Sequence, residues 1–186
     1  MRRIALLCGC LPFLAYGQSF QRNEFTFTGG HGWQVDVPVG EPRLSAVSLG
    51  GTYSFRWRRW LALEGGVLTV IDPTGVVGSY AGFFDVHDRF TWLPFGVRFI
   101  LPLRHDRFEI SAGGGGAYER YTVGNEVPNG PGPYNRWAGY FKAKAAVALD
   151  PGRHFWLGAT PQFMLVSGSD IRDRWFVLTG DVSFRF

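Results

Sequence analysis

Along residues 175–186 the side chains sort by parity. Phe176, Leu178, Gly180, Val182, Phe184 and Phe186 form one apolar row, and Trp175, Val177, Thr179, Asp181, Ser183 and Arg185 form a mostly polar one. Successive side chains of an extended strand point to opposite faces, so this alternation predicts a strand lying between two unlike environments. Seven earlier stretches repeat the pattern. The first, Glu24 to Trp33, sets Phe25, Phe27, Gly29, His31 and Trp33 against Glu24, Thr26, Thr28 and Gly30. Ser45 to Phe55 and Trp60 to Ile71 follow, with Arg56-Trp-Arg-Arg59 read as a basic turn between them. Arg89 to Leu101 places Leu93, Phe95, Val97, Phe99 and Leu101 opposite Arg98, although Pro94 cannot donate to a ladder. Phe108 to Tyr121, Arg136 to Leu149 and Phe155 to Val166 complete the set.

The connections between these stretches run long, short, long, short, long, short, medium. The longest are Asp72–Asp88 and Gly124–Asn135, and Asp150-Pro-Gly-Arg153 has the chemistry of a β-turn. Beyond the N-terminus no apolar run approaches the ~18 residues of a membrane helix. Any membrane affinity must therefore lie in the alternation itself.

Charge decides which row faces where. Glu64, Arg98, Glu109, Glu119, Lys142, Lys144, Asp181 and Arg185 all fall opposite the apolar set. A charge on a lipid-facing surface costs ~2–4 kcal/mol at the midplane, so in a membrane these side chains must point into a lumen. Four acids and four bases balance, which predicts ion pairs filling the interior and no sustained ion conduction. Aromatics gather near the strand ends: Trp57, Trp60, Phe108, Trp156 and Phe186 on the turn side, Trp33, Tyr118, Tyr121, Trp137 and Trp175 on the loop side. Two such belts suit the two interfaces of a bilayer.

Composition agrees with strands and turns: Gly is abundant at 26, aromatics make up 17%, and Met is scarce at 2. At 186 residues the chain fits one domain. Its start reads as a secretory signal peptide over residues 1–17, leaving a mature barrel domain over 18–186. Arg2 and Arg3 precede the apolar run Ile4–Ala15, and Ala15 and Gly17 are the small residues of a cleavage site. Leu7-Cys8-Gly9-Cys10 loosely offers lipoprotein processing as an alternative. Cleavage after Gly17 removes both cysteines, and with them any disulfide or thiolate chemistry. Losing Arg2 and Arg3 takes the formal charge from +4 to +2, no basis for a nucleic-acid partner.

The whole mature pattern resembles the small eight-stranded bacterial outer-membrane barrels of the OmpA/OmpX type. That resemblance implies an all-β, eight-stranded antiparallel up-and-down transmembrane β-barrel, with short periplasmic turns and longer extracellular loops. It implies residence in the bacterial outer membrane after export through the general secretory pathway. The implied partners are outer-membrane lipid and lipopolysaccharide, with the barrel assembly machinery and periplasmic chaperones during biogenesis, and the implied state is a monomer. The row Leu178, Val182, Phe184 and Phe186 resembles the C-terminal signal that the assembly machinery reads.

Candidates for chemistry are sparse. Ala112-Gly-Gly-Gly-Gly-Ala117 lacks the Lys-Ser/Thr of a phosphate loop and reads as a strand kept bare for curvature or a bulky neighbour. His31, His87, His105 and His154 have no metal-ligand spacing. No cofactor is expected. A non-enzymatic barrel with a structural or loop-mediated interaction role is the expectation, and Tyr80, Phe83, Phe84 and Tyr134 are its candidate loop contacts. The alternative is a lipid A acyltransferase or deacylase, for which His31 with Ser169 or Ser79 is the raw material, and no motif links them.

Overall fold

Strands that are apolar on one face leave unpaired N–H and C=O groups along any open edge, a heavy cost in lipid. Closing the sheet removes both edges. The computed structural model describes residues 20–35, 45–71, 76–79, 82–85, 89–103, 107–122, 133–166 and 174–186, with 76–79 and 82–85 as backbone only. The signal-peptide reading over 1–17 lies outside the described residues. The strands are β1 (Asn23–Val35), β2 (Ser45–Arg58), β3 (Leu61–Ile71), β4 (Val76–Ser79), β5 (Gly82–Asp85), β6 (Arg89–Leu103), β7 (Phe108–Thr122), β8 (Tyr134–Ala148), β9 (Phe155–Val166) and β10 (Arg174–Arg185). Eight of them form a closed antiparallel barrel in the order β1-β10-β9-β8-β7-β6-β3-β2, while β4 and β5 pair separately as a hairpin.

The seam between β1 and β10 runs from Glu24 opposite Arg185 to Val35 opposite Arg174. Asn23 and Phe186 exchange backbone hydrogen bonds of 3.0 Å beyond its end. Two ladders lapse where a proline cannot donate. The β3–β6 pairing skips from Gly65↔Phe95 to Leu68↔Trp92, across Pro94. The β8–β9 pairing skips from Lys142↔Gln162 to Ala145↔Ala159, across Pro161. Both strands continue past the gap because their other neighbours stay in register.

The apolar row faces outward on every strand of the barrel: Phe27 is 72% exposed, Leu101 59% and Val182 52%. The opposite row is buried, with Glu24, Trp92 and Glu119 at 0%. This is the inverse of a water-soluble barrel, and it suits a shell of hydrocarbon.

The structure corrects four sequence readings. First, β2 runs through Arg56 and Trp57 to Arg58, so the basic segment is strand for three of its residues; the register shifts between Arg56 and Arg58. Arg56 keeps the inward parity of Ser54, and its charge is compensated inside. Second, the Asp72–Asp88 connection contains the β4–β5 hairpin, which places Phe83 and Phe84 on a strand. Third, Tyr134 opens β8 instead of lying in a loop, because it stacks on Tyr121 at 4.8 Å. Fourth, Tyr121, Trp156 and Trp175 are buried in the lumen at 5%, 2% and 0% exposure, not in the belts. Tyr121 shares the parity of Glu119 and Trp175 that of Asp181 and Arg185, while Trp156 shares the parity of the buried Thr160 and Gln162.

Candidate functional site

The lumen is built in three storeys. At the turn end lies an ion network around Glu24, which enters from the start of β1. Its carboxylate meets Arg98 Nη2 at 3.1 Å, Lys144 Nζ at 3.1 Å, Arg185 Nε at 2.7 Å and Arg56 Nη2 at 3.5 Å. Glu109 joins from β7, bound to Arg56 Nη2 at 2.5 Å and Arg185 Nη2 at 3.0 Å. The Arg185 guanidinium carbon also lies 3.7 Å from the Trp156 ring centroid, which accounts for that indole facing inward. Trp156 Nε1 in turn donates to the Arg153 carbonyl at 2.7 Å and ties the network to the turn below.

The middle storey is polar. Glu64 takes Lys142 Nζ at 3.0 Å and accepts the Tyr140 hydroxyl at 3.0 Å. Asp181 accepts from the Thr179 hydroxyl at 2.9 Å and from that of Thr160. The glycine run finds its reason on both faces of the wall. Tyr140 sits opposite Gly115, and a Cβ on neighbouring Gly96 would come within 2.8 Å of the Tyr140 oxygen. Outside, a Cβ on Gly116 would come within 2.8 Å of the Phe95 ring.

The loop-end storey is an aromatic plug. Phe90 packs at 4.8 Å from Tyr121 and 5.0 Å from Trp175, and Trp92 lies 6.1 Å from Trp175. Val70, Met164, Val177 and Leu68 fill the spaces between them. Glu119 and Arg136 pair beside the plug at 3.1 Å, and Tyr134 lies under the Arg136 guanidinium at 4.6 Å.

All eight charges expected in the lumen are placed inside it: Glu64, Arg98, Glu109, Glu119, Lys142, Lys144, Asp181 and Arg185. Sequence reasoning missed Glu24, Arg56 and Arg136, and with them the hub of the network. Parity would have found each. Their addition changes the balance to five acids against six bases among the described residues.

Leu178, Val182, Phe184 and Phe186 form an outward row, with Phe184 and Phe186 stacked at 5.7 Å. Of the loop candidates, Tyr80 lies outside the described residues, and Phe83 and Phe84 are described as backbone only. His31 faces outward and packs on Trp33 at 4.7 Å, whereas Ser169 lies outside the described residues and Ser79 is placed as backbone. Among the described residues no group of three or more His, Cys, Asp and Glu could hold a metal.

The closed antiparallel barrel, with an apolar row outside and an ion network within, has the fold of a known class, the small eight-stranded β-barrels of bacterial outer membranes. Solved members of that class superpose on this chain. Neisserial surface protein A aligns with a TM-score of 0.66 at 10% identity, over 88% of this chain and 97% of its own. The N-terminal barrel domain of OprF from Pseudomonas aeruginosa gives 0.60 at 12%, over 89% and 98%. Ail from Yersinia pestis, solved with the heparin analogue sucrose octasulfate, gives 0.52 at 14%, over 89% and 99%. At such identities the likeness is one of fold. No family model matches the chain, and no curated protein does.

Proposed function

We propose that this chain is an integral outer-membrane protein without enzymatic activity, whose closed barrel is an anchor for loops that meet an extracellular partner. One observation carries the reading: the lumen is blocked twice, by the ion network around Glu24 and by the plug of Phe90, Trp92, Tyr121 and Trp175. A barrel with no path through it holds its function at its surfaces, and loops on a rigid scaffold are where binding concentrates. The long connections 72–88 and 123–133 carry it here. Ail supplies a precedent for a barrel of this shape holding a ligand, in its case an analogue of heparin.

Export through the secretory pathway, insertion by the assembly machinery reading Leu178, Val182, Phe184 and Phe186, and a monomer contacting lipid and lipopolysaccharide belong to the same proposal. Replacing both long connections with tight turns tests it. Folding in vesicles should persist, while binding of whole cells to immobilised sulfated glycans or matrix proteins should fall to background. An altered lipid A profile in cells lacking the protein would instead establish the enzymatic alternative.

A further inference from the structure

The middle of the lumen is not completely filled. A cavity of about 20 Å³ lies between the ion network and the plug, its lining including Thr28, Thr52, Gln162, Asp181, Arg98, Lys142 and Lys144. Most of the acceptors around it are already used; Glu64 Oε2 accepts no hydrogen bond and faces Arg98 Nε at 3.7 Å. Both Asp181 oxygens accept threonine hydroxyls, and Glu64 Oε1 takes Lys142 and Tyr140. Lys144 Nζ spends its donors on Glu24, Thr26 and Ser183.

Donors, by contrast, are left over. Lys142 carries three N–H groups and meets Glu64 alone among the described residues. Arg98 is 2% exposed; its Nη1 donates to Glu24 at 3.2 Å, while Nη2 and Nε lie 3.1 Å from Glu24 and 3.7 Å from Glu64 without hydrogen-bond geometry. The charges agree with the donor count. Setting aside the Glu119–Arg136 pair beside the plug, the described lumen holds Arg56, Arg98, Lys142, Lys144 and Arg185 against Glu24, Glu64, Glu109 and Asp181. One positive charge is unmatched, in a place where an uncompensated charge is costly.

We propose that this cavity is a binding site for one small monovalent anion of halide size, held by Lys142 and Arg98 with the Thr28 and Thr52 hydroxyls and the Gln162 amide around it. The space excludes phosphate and sulfate, which need room for five heavy atoms. Lying between the ion network and the plug, the ion is a structural component of the lumen and not cargo.

The test uses the full barrel folded in phospholipid vesicles, with urea titrations in chloride, in bromide and in gluconate at equal ionic strength. Chloride and bromide should raise the unfolding midpoint to a plateau that gluconate does not reach. Lys142→Met removes the surplus charge and should abolish the difference between anions. Crystals grown in bromide read the site directly, without any variant: an anomalous peak is expected within hydrogen-bond distance of Lys142 Nζ. Equal midpoints in all three salts, with only water in the cavity, would overturn the proposal.

Discussion

Glu24 shows how much one residue holds. It is buried completely and binds four cations from four other strands, so its loss would leave Arg56, Arg98, Lys144 and Arg185 facing one another. Removing one partner of a buried ion cluster costs about 3–5 kcal/mol. Glu24→Gln should show a loss of that size in urea titrations of tryptophan fluorescence in vesicles. The sequence placed Glu24 on the polar row of its strand and gave no hint of the convergence, because partners from β2, β6, β8 and β10 meet only after closure. Arg56 was misread for a different reason: three arginines in four residues look like a solvated turn, and the compensating acids are far away in the chain. Asp150 makes a smaller prediction outside the membrane. The Phe155 N–H donating to its carboxylate at 2.7 Å holds the carboxyl below its ordinary value. A carboxylate lowered by folding adds stability that is present above its unfolded value and lost as pH falls through the folded one. Asp150→Asn should therefore flatten the pH dependence of stability below about pH 4, seen in acid titrations of wild type and variant side by side.

At the scale of the strand, period-two sorting was legible throughout because lipid and lumen make opposite demands on adjacent residues. The eight expected stretches and the eight barrel strands differ mainly at their ends. The sorting failed where aromatics were assigned by position along the strand: Tyr121, Trp156 and Trp175 are placed by height and not by face. The sidedness has a direct check. Val97 faces outward between Phe95 and Phe99, and Val97→Arg should cost ~2–4 kcal/mol of folding free energy in bilayers, with Ala145→Arg behaving alike. Val97→Leu should stay within about 0.5 kcal/mol. A harmless Val97→Arg would mean that this row does not face hydrocarbon.

For the whole molecule, the closed barrel follows from the pattern of the chain, whereas the contents of the lumen do not. The sequence showed charges facing inward in balanced number; it did not show that six of them gather around Glu24 and Glu109 at the turn end while aromatics fill the loop end. That division comes from register, which brings Phe90 beside Tyr121 and Trp92 beside Glu119 across one ladder. An eight-stranded barrel leaves an interior just wide enough for its own side chains, and here two separate layers use that width. The proposed function requires a lumen closed to ions. Planar-bilayer recording of the purified protein tests it most directly: the expected trace is a baseline without sustained openings, and long-lived, reproducible open channels would contradict it.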